Sequence, residues 1–249
     1  MATDSAQNSP FIRSLASSDK KTRDTALSSL RQYLSTSPSL SALDLLKLWK
    51  GLFYTLWMQD KPLQQQRLAR DLASLPSVLA PGAVLPFLRA FWHTMAREWG
   101  AIEALRLDKY LYLIRQYVRV GLAWLAARRY EGAVVEGWNE VLREMPLNAE
   151  DVKVPNGLRY HVLDVWVDEM EKVEGEEWGG EGKKEALEAV LGPVERLSRE
   201  AKIKTVREAA RECLADERVR RWRGIEEEVA AEEEEGDDDE EVEWGGFAD

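Results

Sequence analysis

This sequence predicts an all-α chain: a HEAT/armadillo-like stack of helix pairs, an α-solenoid, with a disordered acidic C-terminal tail. Three observations lead there. Apolar residues recur at three- and four-residue spacing from residue 10 to residue 223, and no stretch alternates convincingly as a strand. Expected starts of alternate helices fall near residues 19, 62, 108, 156 and 203, intervals of roughly 43 to 48, close to the roughly 40 to 47 of HEAT and armadillo repeats. Charge is the third: residues 226–249 hold 14 of the 45 acidic side chains and no Lys or Arg, so residues 1–225 carry a net +3 against −11 for the whole chain. Blocks of like charge repel themselves and bury little, so that end is expected to be disordered. The expected organisation is a flexible 1–9, a helical-repeat domain over 10–225 and the acidic tail 226–249.

Element by element, Pro10 opens a short helix, and Asp19 is expected to cap a second whose apolar face is Ala26, Leu27, Leu30, Tyr33 and Leu34. Ser41 caps the helix on which the chain is organised. Leu45, Leu48, Trp49, Leu52, Phe53, Leu56 and Trp57 form an apolar face wide enough to need neighbours on two sides. Asp60 is expected to cap the next helix, with Pro62 in its first turn and Leu63, Leu68, Leu72 and Leu75 inward. Leu85, Leu88, Phe91, Trp92, Met95 and Trp99 mark another helix over 83–101. Asp108 is expected to cap the most apolar one, in which Trp124 reads as surrounded and only Arg115, Gln116 and Arg119 are left as a polar strip.

Residues 131–145 form a further helix, stopped by Pro146, and an irregular loop runs to Pro155. A helix carrying Val162, Leu163, Trp166, Val167 and Met170 follows. GEEWGGEG at 175–182 reads as a flexible loop. Two helices, 183–191 and 194–223, are expected on either side of Gly192 and Pro193.

The chemical inventory points away from catalysis. A single cysteine, Cys213, allows no internal disulfide, and with no signal-peptide pattern a reducing compartment is expected. His93 and His161 are the only histidines, without a second Cys or His at metal-ligand spacing, and both are read as structural. Cys213 shares an apolar face with Ile203, Val206 and Ala210 and is read as a buried thiol. There is no phosphate loop, nucleophile elbow or kinase signature. A soluble non-enzyme with no cofactor, metal or small-molecule substrate and no membrane span is therefore expected.

Binding is the remaining class. Trp49, Trp57, Trp92, Trp99, Trp124, Trp138 and Trp166 lie on apolar faces and read as core. Trp178, Trp222 and Trp244 stand among charges and read as candidate contacts. The strongest electrostatic feature lies near the end of the ordered part, where Arg196, Arg199, Lys204, Arg207, Arg211, Arg218 and Arg221 cluster. Lys204, Arg207, Arg211 and Arg218 would form one stripe of a continuous helix, attractive to a phosphate backbone. The competing reading is a solvated face: Glu200 with Lys204, Lys204 with Glu208, Asp216 with Arg220 and Glu217 with Arg221 are all four apart.

The stretch LWKGLFYTLWMQDKPLQQQRLARDL, then FLRAFWHTMAREWGAIEALRLDKYLYLIRQYVR from Phe87, then PNGLRYHVLDVWVDEM from Pro155, resembles the eukaryotic ribosomal RNA processing protein 1 family. The last segment carries that family's P-x-G-L-x-x-H-x-x-D pattern. The resemblance implies a non-catalytic assembly factor in nucleolar precursors of the large (60S) ribosomal subunit, supporting pre-rRNA processing. Its partners would be other early assembly factors, with pre-rRNA contact left open, and its location the nucleus and nucleolus. A generic HEAT-like protein adaptor is the alternative that periodicity alone leaves standing.

Overall fold

The computed structural model describes residues 10–15, 17, 19–36 and 40–225; the tail, and with it Trp244, lies outside them. Eleven α-helices and no strand are found among the described residues: α1 (Pro10–Leu15), α2 (Lys20–Thr36), α3 (Ala42–Trp57), α4 (Pro62–Ala73), α5 (Pro81–Glu98), α6 (Ala104–Ala126), α7 (Gly132–Glu144), α8 (Asn156–Glu174), α9 (Lys184–Glu200), α10 (Lys204–Leu214) and α11 (Glu217–Trp222). α1 packs on α3, and from α3 to α10 each helix packs on the next but one. α1, α3, α5, α7 and α9 form one layer, while α4, α6, α8 and α10 form the other, prefaced by α2. Because successive helices reverse direction, helices within a layer run parallel, as in a solenoid of helix pairs.

The core lies between the layers and is richest in aromatic rings around α3. Trp49, fully buried, has Phe87, Phe91 and Tyr117 at 4.9–5.2 Å between ring centroids and donates its indole N–H to the Phe87 carbonyl. Trp138 on α7 and Trp166 on α8 stack at 5.5 Å. The approach of α6 to α7 needs Gly121, since a Cβ there would stand 2.5 Å from Trp138 Nε1.

Two caps fall where expected. Ser41 Oγ accepts from Asp44 N at 3.1 Å, and Asp19 Oδ2 accepts from Thr22 N at 2.7 Å. Two do not. α4 begins one residue later than Asp60 implied, from Lys61, and Pro62 supplies the preset φ in place of a side-chain cap. α6 starts at Ala104 rather than after Asp108, because Ala104, Leu105, Arg106 and Leu107 are strong helix formers with nothing to stop them. The corner between α3 and α4 is closed from α6: Lys109 Nζ donates to the Trp57 and Gln59 carbonyls, both at 2.8 Å. Burial, with Arg106 nearby, brings its pKa down to about 8.

The expected break at Gly192 and Pro193 is absent, and α9 runs through both. Proline has no N–H to give to the carbonyl four residues back, here Ala189; Asn139 Nδ2 of α7 donates to that carbonyl instead, at 2.8 Å. Asn139→Ala is therefore expected to cost about 1–3 kcal/mol by leaving the carbonyl unpaired. In a Pro193→Ala background, whose own N–H can serve the carbonyl, the cost should be smaller. Equal urea-midpoint shifts in the two backgrounds would dissociate Asn139 from the proline. Breaks come instead at Ala201–Ile203 and Ala215–Asp216, dividing the expected 194–223 helix among α9, α10 and α11.

Other expectations are corrected by burial. Leu63 and Tyr33, expected inward, are 80% and 52% exposed. Trp124 is only half-buried, packed against the core on one side with the Arg128 guanidinium 4.3 Å above its ring. The 175–182 segment is ordered as two short 3-10 turns around a fully buried Trp178, whose indole donates to the Met170 carbonyl at 3.0 Å.

Candidate interaction surface

The outward face of the second layer carries a seam of polar bonds from helix to helix. Arg67 on α4 reaches Asp24 on α2 at 3.3 Å, and Arg70 donates to the Tyr112 hydroxyl on α6 at 3.1 Å. His161 Nε2 on α8 is 2.8 Å from the Leu111 carbonyl of α6, and Tyr160 shares a hydrogen bond with Thr205 at the start of α10. Exposed pairs such as Arg67 with Asp24 contribute little each. The centre of the seam is different.

There the Glu169 side chain has no solvent exposure and binds Arg115 and Arg119 of α6, each at 2.5 Å, and Lys172 at 2.7 Å. Burial raises the Glu169 pKa, but the hydrogen bonds from Arg119, Lys172 and Arg115 outweigh it and hold the carboxyl below its ordinary range. Asp168 beside it binds Arg115 at 2.8 Å and Arg218 at 3.1 Å, and Arg218 continues to Glu171 and Asp216. The network ties α6, α8 and the start of α11 together. Arg115 and Arg119 stand out in the sequence as a polar strip on an apolar helix, but nothing there singles out Glu169 as the acid that answers them.

The basic cluster read from the sequence is dispersed by the breaks flanking α10. Arg196 pairs with Glu200 and Glu150, Arg199 with Glu195, Lys204 with Glu208, and Arg221 with Glu176. Arg207 donates to the Ala201 carbonyl at 2.5 Å, covering the end of α9. Arg218 turns into the acidic nest just described, so the four-residue stripe does not form. Arg211 is exposed and has no partner among the described residues. Trp222, expected to meet a partner, is 1% exposed and packs 6.4 Å from Trp178, which in turn meets Tyr130 at 5.1 Å. Charged neighbours concealed two apolar anchors that close the end of the stack.

The PNGLRYHVLD segment has a structural part for most of its residues. Gly157 lets Trp99 come close, since a Cβ would lie 3.2 Å from its ring. Leu158 is fully buried. Arg159 enters the 146–155 loop from beneath and donates to the carbonyls of Asn148, Asp151 and Val154 at 2.6–2.7 Å, which orders a loop without regular structure. His161 bonds α6, as the structural reading expects. His93 likewise pairs with Glu144 at 2.7 Å, sharing it with Arg89. Asp164 faces outward and makes no hydrogen bond or ion pair among the described residues, its electrostatic neighbour being His161.

Residues 6–245 match the family described as "Nucleolar protein, Nop52". The chain belongs to this family. Among curated relatives of this Nop52 chain, Ribosomal RNA processing protein 1 homolog B of Homo sapiens is 42% identical over 173 residues, 67% of this chain and 23% of that protein. Ribosomal RNA processing protein 1 homolog A of Mus musculus is 41% identical over 165 residues, 64% of this chain and 33% of that protein. The Drosophila melanogaster homolog is 32% identical over 173 residues, covering 67% and 25%. The matched stretch is thus a third or less of each of these relatives.

Proposed function

We propose that this chain is a non-catalytic assembly factor: a helical scaffold that joins nucleolar precursors of the large ribosomal subunit and supports the processing of their RNA. One observation carries the reading, the match of residues 6–245 to the Nop52 nucleolar family, whose relatives are named for ribosomal RNA processing. The geometry favours binding over chemistry. Both histidines are held by structural partners, and burial pushes the Cys213 thiol up to about 12, so it stays protonated and a poor nucleophile near neutral pH. The chain offers long helical faces suited to several neighbours at once.

Association with the particle rests mainly on protein contacts, since Arg196, Arg199, Lys204, Arg207, Arg218 and Arg221 already have partners within the chain. Depletion is expected to stall large-subunit precursor processing, and the tagged protein is expected to co-sediment with those precursors on a gradient. A solely free pool would overturn the reading. Charge reversal at Lys204 and Arg211 together is expected to leave co-sedimentation intact; its loss would assign direct RNA contact to α10, because several phosphate contacts would have become repulsions.

A further inference from the structure

We propose that the cleft between α8 and α10 is a docking site for a lysine or arginine side chain projecting from a basic segment of a partner protein. The cleft measures about 470 Å³, within the range of about 300–1,000 Å³ typical of ligand pockets. Its floor is apolar, from Val167 on α8 and Ala209 and Cys213 on α10, and its rim is acidic, from Asp164, Glu212 and Asp216. No Lys or Arg lines it among the described residues. An apolar trough under carboxylates matches a long cationic side chain, whose stem packs on the floor while its head meets the rim.

Two of the three carboxylates at this rim, Asp164 and Glu212, make no ion pair among the described residues, unlike their neighbours. One turn further along α8, Asp168, Glu169 and Glu171 are all paired to Arg or Lys. Asp164 faces His161, the one basic side chain in the lining, whose pKa burial holds below its ordinary value, and Glu212 makes no hydrogen bond or ion pair among the described residues. Arg218 answers the third carboxylate, Asp216, with two side-chain bonds at 2.9 and 3.0 Å and also reaches Asp168 and Glu171, but it does not line the cleft. The local field is sensed by Cys213: after burial, the charges of Asp216, Asp164 and Glu212 push its thiol up, with Arg218 opposing. A potential that disfavours a thiolate on the floor favours a cation there. It equally disfavours phosphate, which places a protein rather than RNA in this cleft.

This inference names a partner chemistry for the scaffold reading and rests on it only for its biological setting. The test uses the full chain and a fluorescein-labelled twelve-residue peptide of alternating Arg and Ala, followed by fluorescence anisotropy at physiological salt. Asp164→Asn with Glu212→Gln should weaken binding roughly five- to tenfold without moving the melting temperature, since both side chains are at the surface. The acidic tail attracts the peptide equally in both proteins, so the difference between them reads the cleft. Replacing each Arg of the peptide by citrulline, which keeps the shape and removes the charge, should abolish that difference. Hydrogen exchange should slow in α8 and α10 when the peptide is bound. Equal affinity of the two proteins, an undiminished difference with the citrulline peptide, or protection confined to other helices would each overturn the assignment. So would protection of α8 and α10 by a twenty-nucleotide RNA. Gradient co-sedimentation tests the scaffold reading separately, because it can fail while peptide binding holds, and the reverse.

Discussion

Trp49→Ala is expected to destabilise the chain by about 3–5 kcal/mol, lowering the melting temperature by on the order of 10 °C. The indole is fully buried at the point where α3, α5 and α6 converge. Truncation removes its buried apolar surface, leaves a cavity that three fixed rings cannot collapse to fill, and deletes the aromatic contacts with Phe87, Phe91 and Tyr117. It also removes the N–H that serves the Phe87 carbonyl. Trp124→Ala is the informative comparison. That ring is half-buried and sits beneath Arg128, so its loss forfeits a cation–π contact and part of its apolar contact, about 1–2 kcal/mol. Equal shifts of the urea midpoint in the two variants would mean that the core is centred on α6 rather than between the layers at α3.

The contrast between these two tryptophans shows what the sequence discloses. Helical periodicity reports which face of a helix is apolar, and for α3 that face and the buried face coincide. It does not report which neighbour covers the face. α6 is apolar over most of its circumference, so Trp124 reads as surrounded although its ring is only half-buried beneath Arg128. The repeat is legible for the same reason that the cover is not: expected starts near 19, 62, 156 and 203 lie within a residue of α2, α4, α8 and α10, because caps and prolines are local signals. Pro193 misleads because the remedy for its missing N–H is Asn139, more than fifty positions earlier. Trp178 and Trp222 mislead because their charged sequence neighbours point outward while the rings turn in. The basic cluster of 196–221 is visible as composition, and so are its local partners Glu195, Glu200, Glu208 and Asp216, but Glu150, Asp168, Glu171 and Glu176 come from other turns of the stack.

Glu169→Gln is expected to destabilise the chain by about 2–3 kcal/mol at neutral pH. Breaking a fully buried ion pair costs about 3–5 kcal/mol, and the lower figure reflects that Arg115 and Arg119 are 30% and 39% exposed and can turn partly toward water. Glutamine keeps the shape, so the loss is that of the charge and of the strong hydrogen bonds it accepts from three cations. The pH dependence has a definite sign. Because the Glu169 pKa in the folded chain is held below its ordinary value of 4.5, the unfolded chain binds its proton more readily. The stability from Glu169 is therefore fully present above about pH 4.5 and is lost as the pH falls through the folded value. The gap between wild type and Glu169→Gln should be widest near pH 7 and shrink in acid. Asp168 and Asp216, whose pKa values are also depressed, titrate in both proteins, and to the extent that they are uncoupled from Glu169 they drop out of the comparison. Burial also shields the pair from salt, so the gap at pH 7 should persist at high ionic strength, where a surface pair would be screened. A gap unchanged between pH 7 and pH 3 would show that Glu169 contributes through packing and not through its charge.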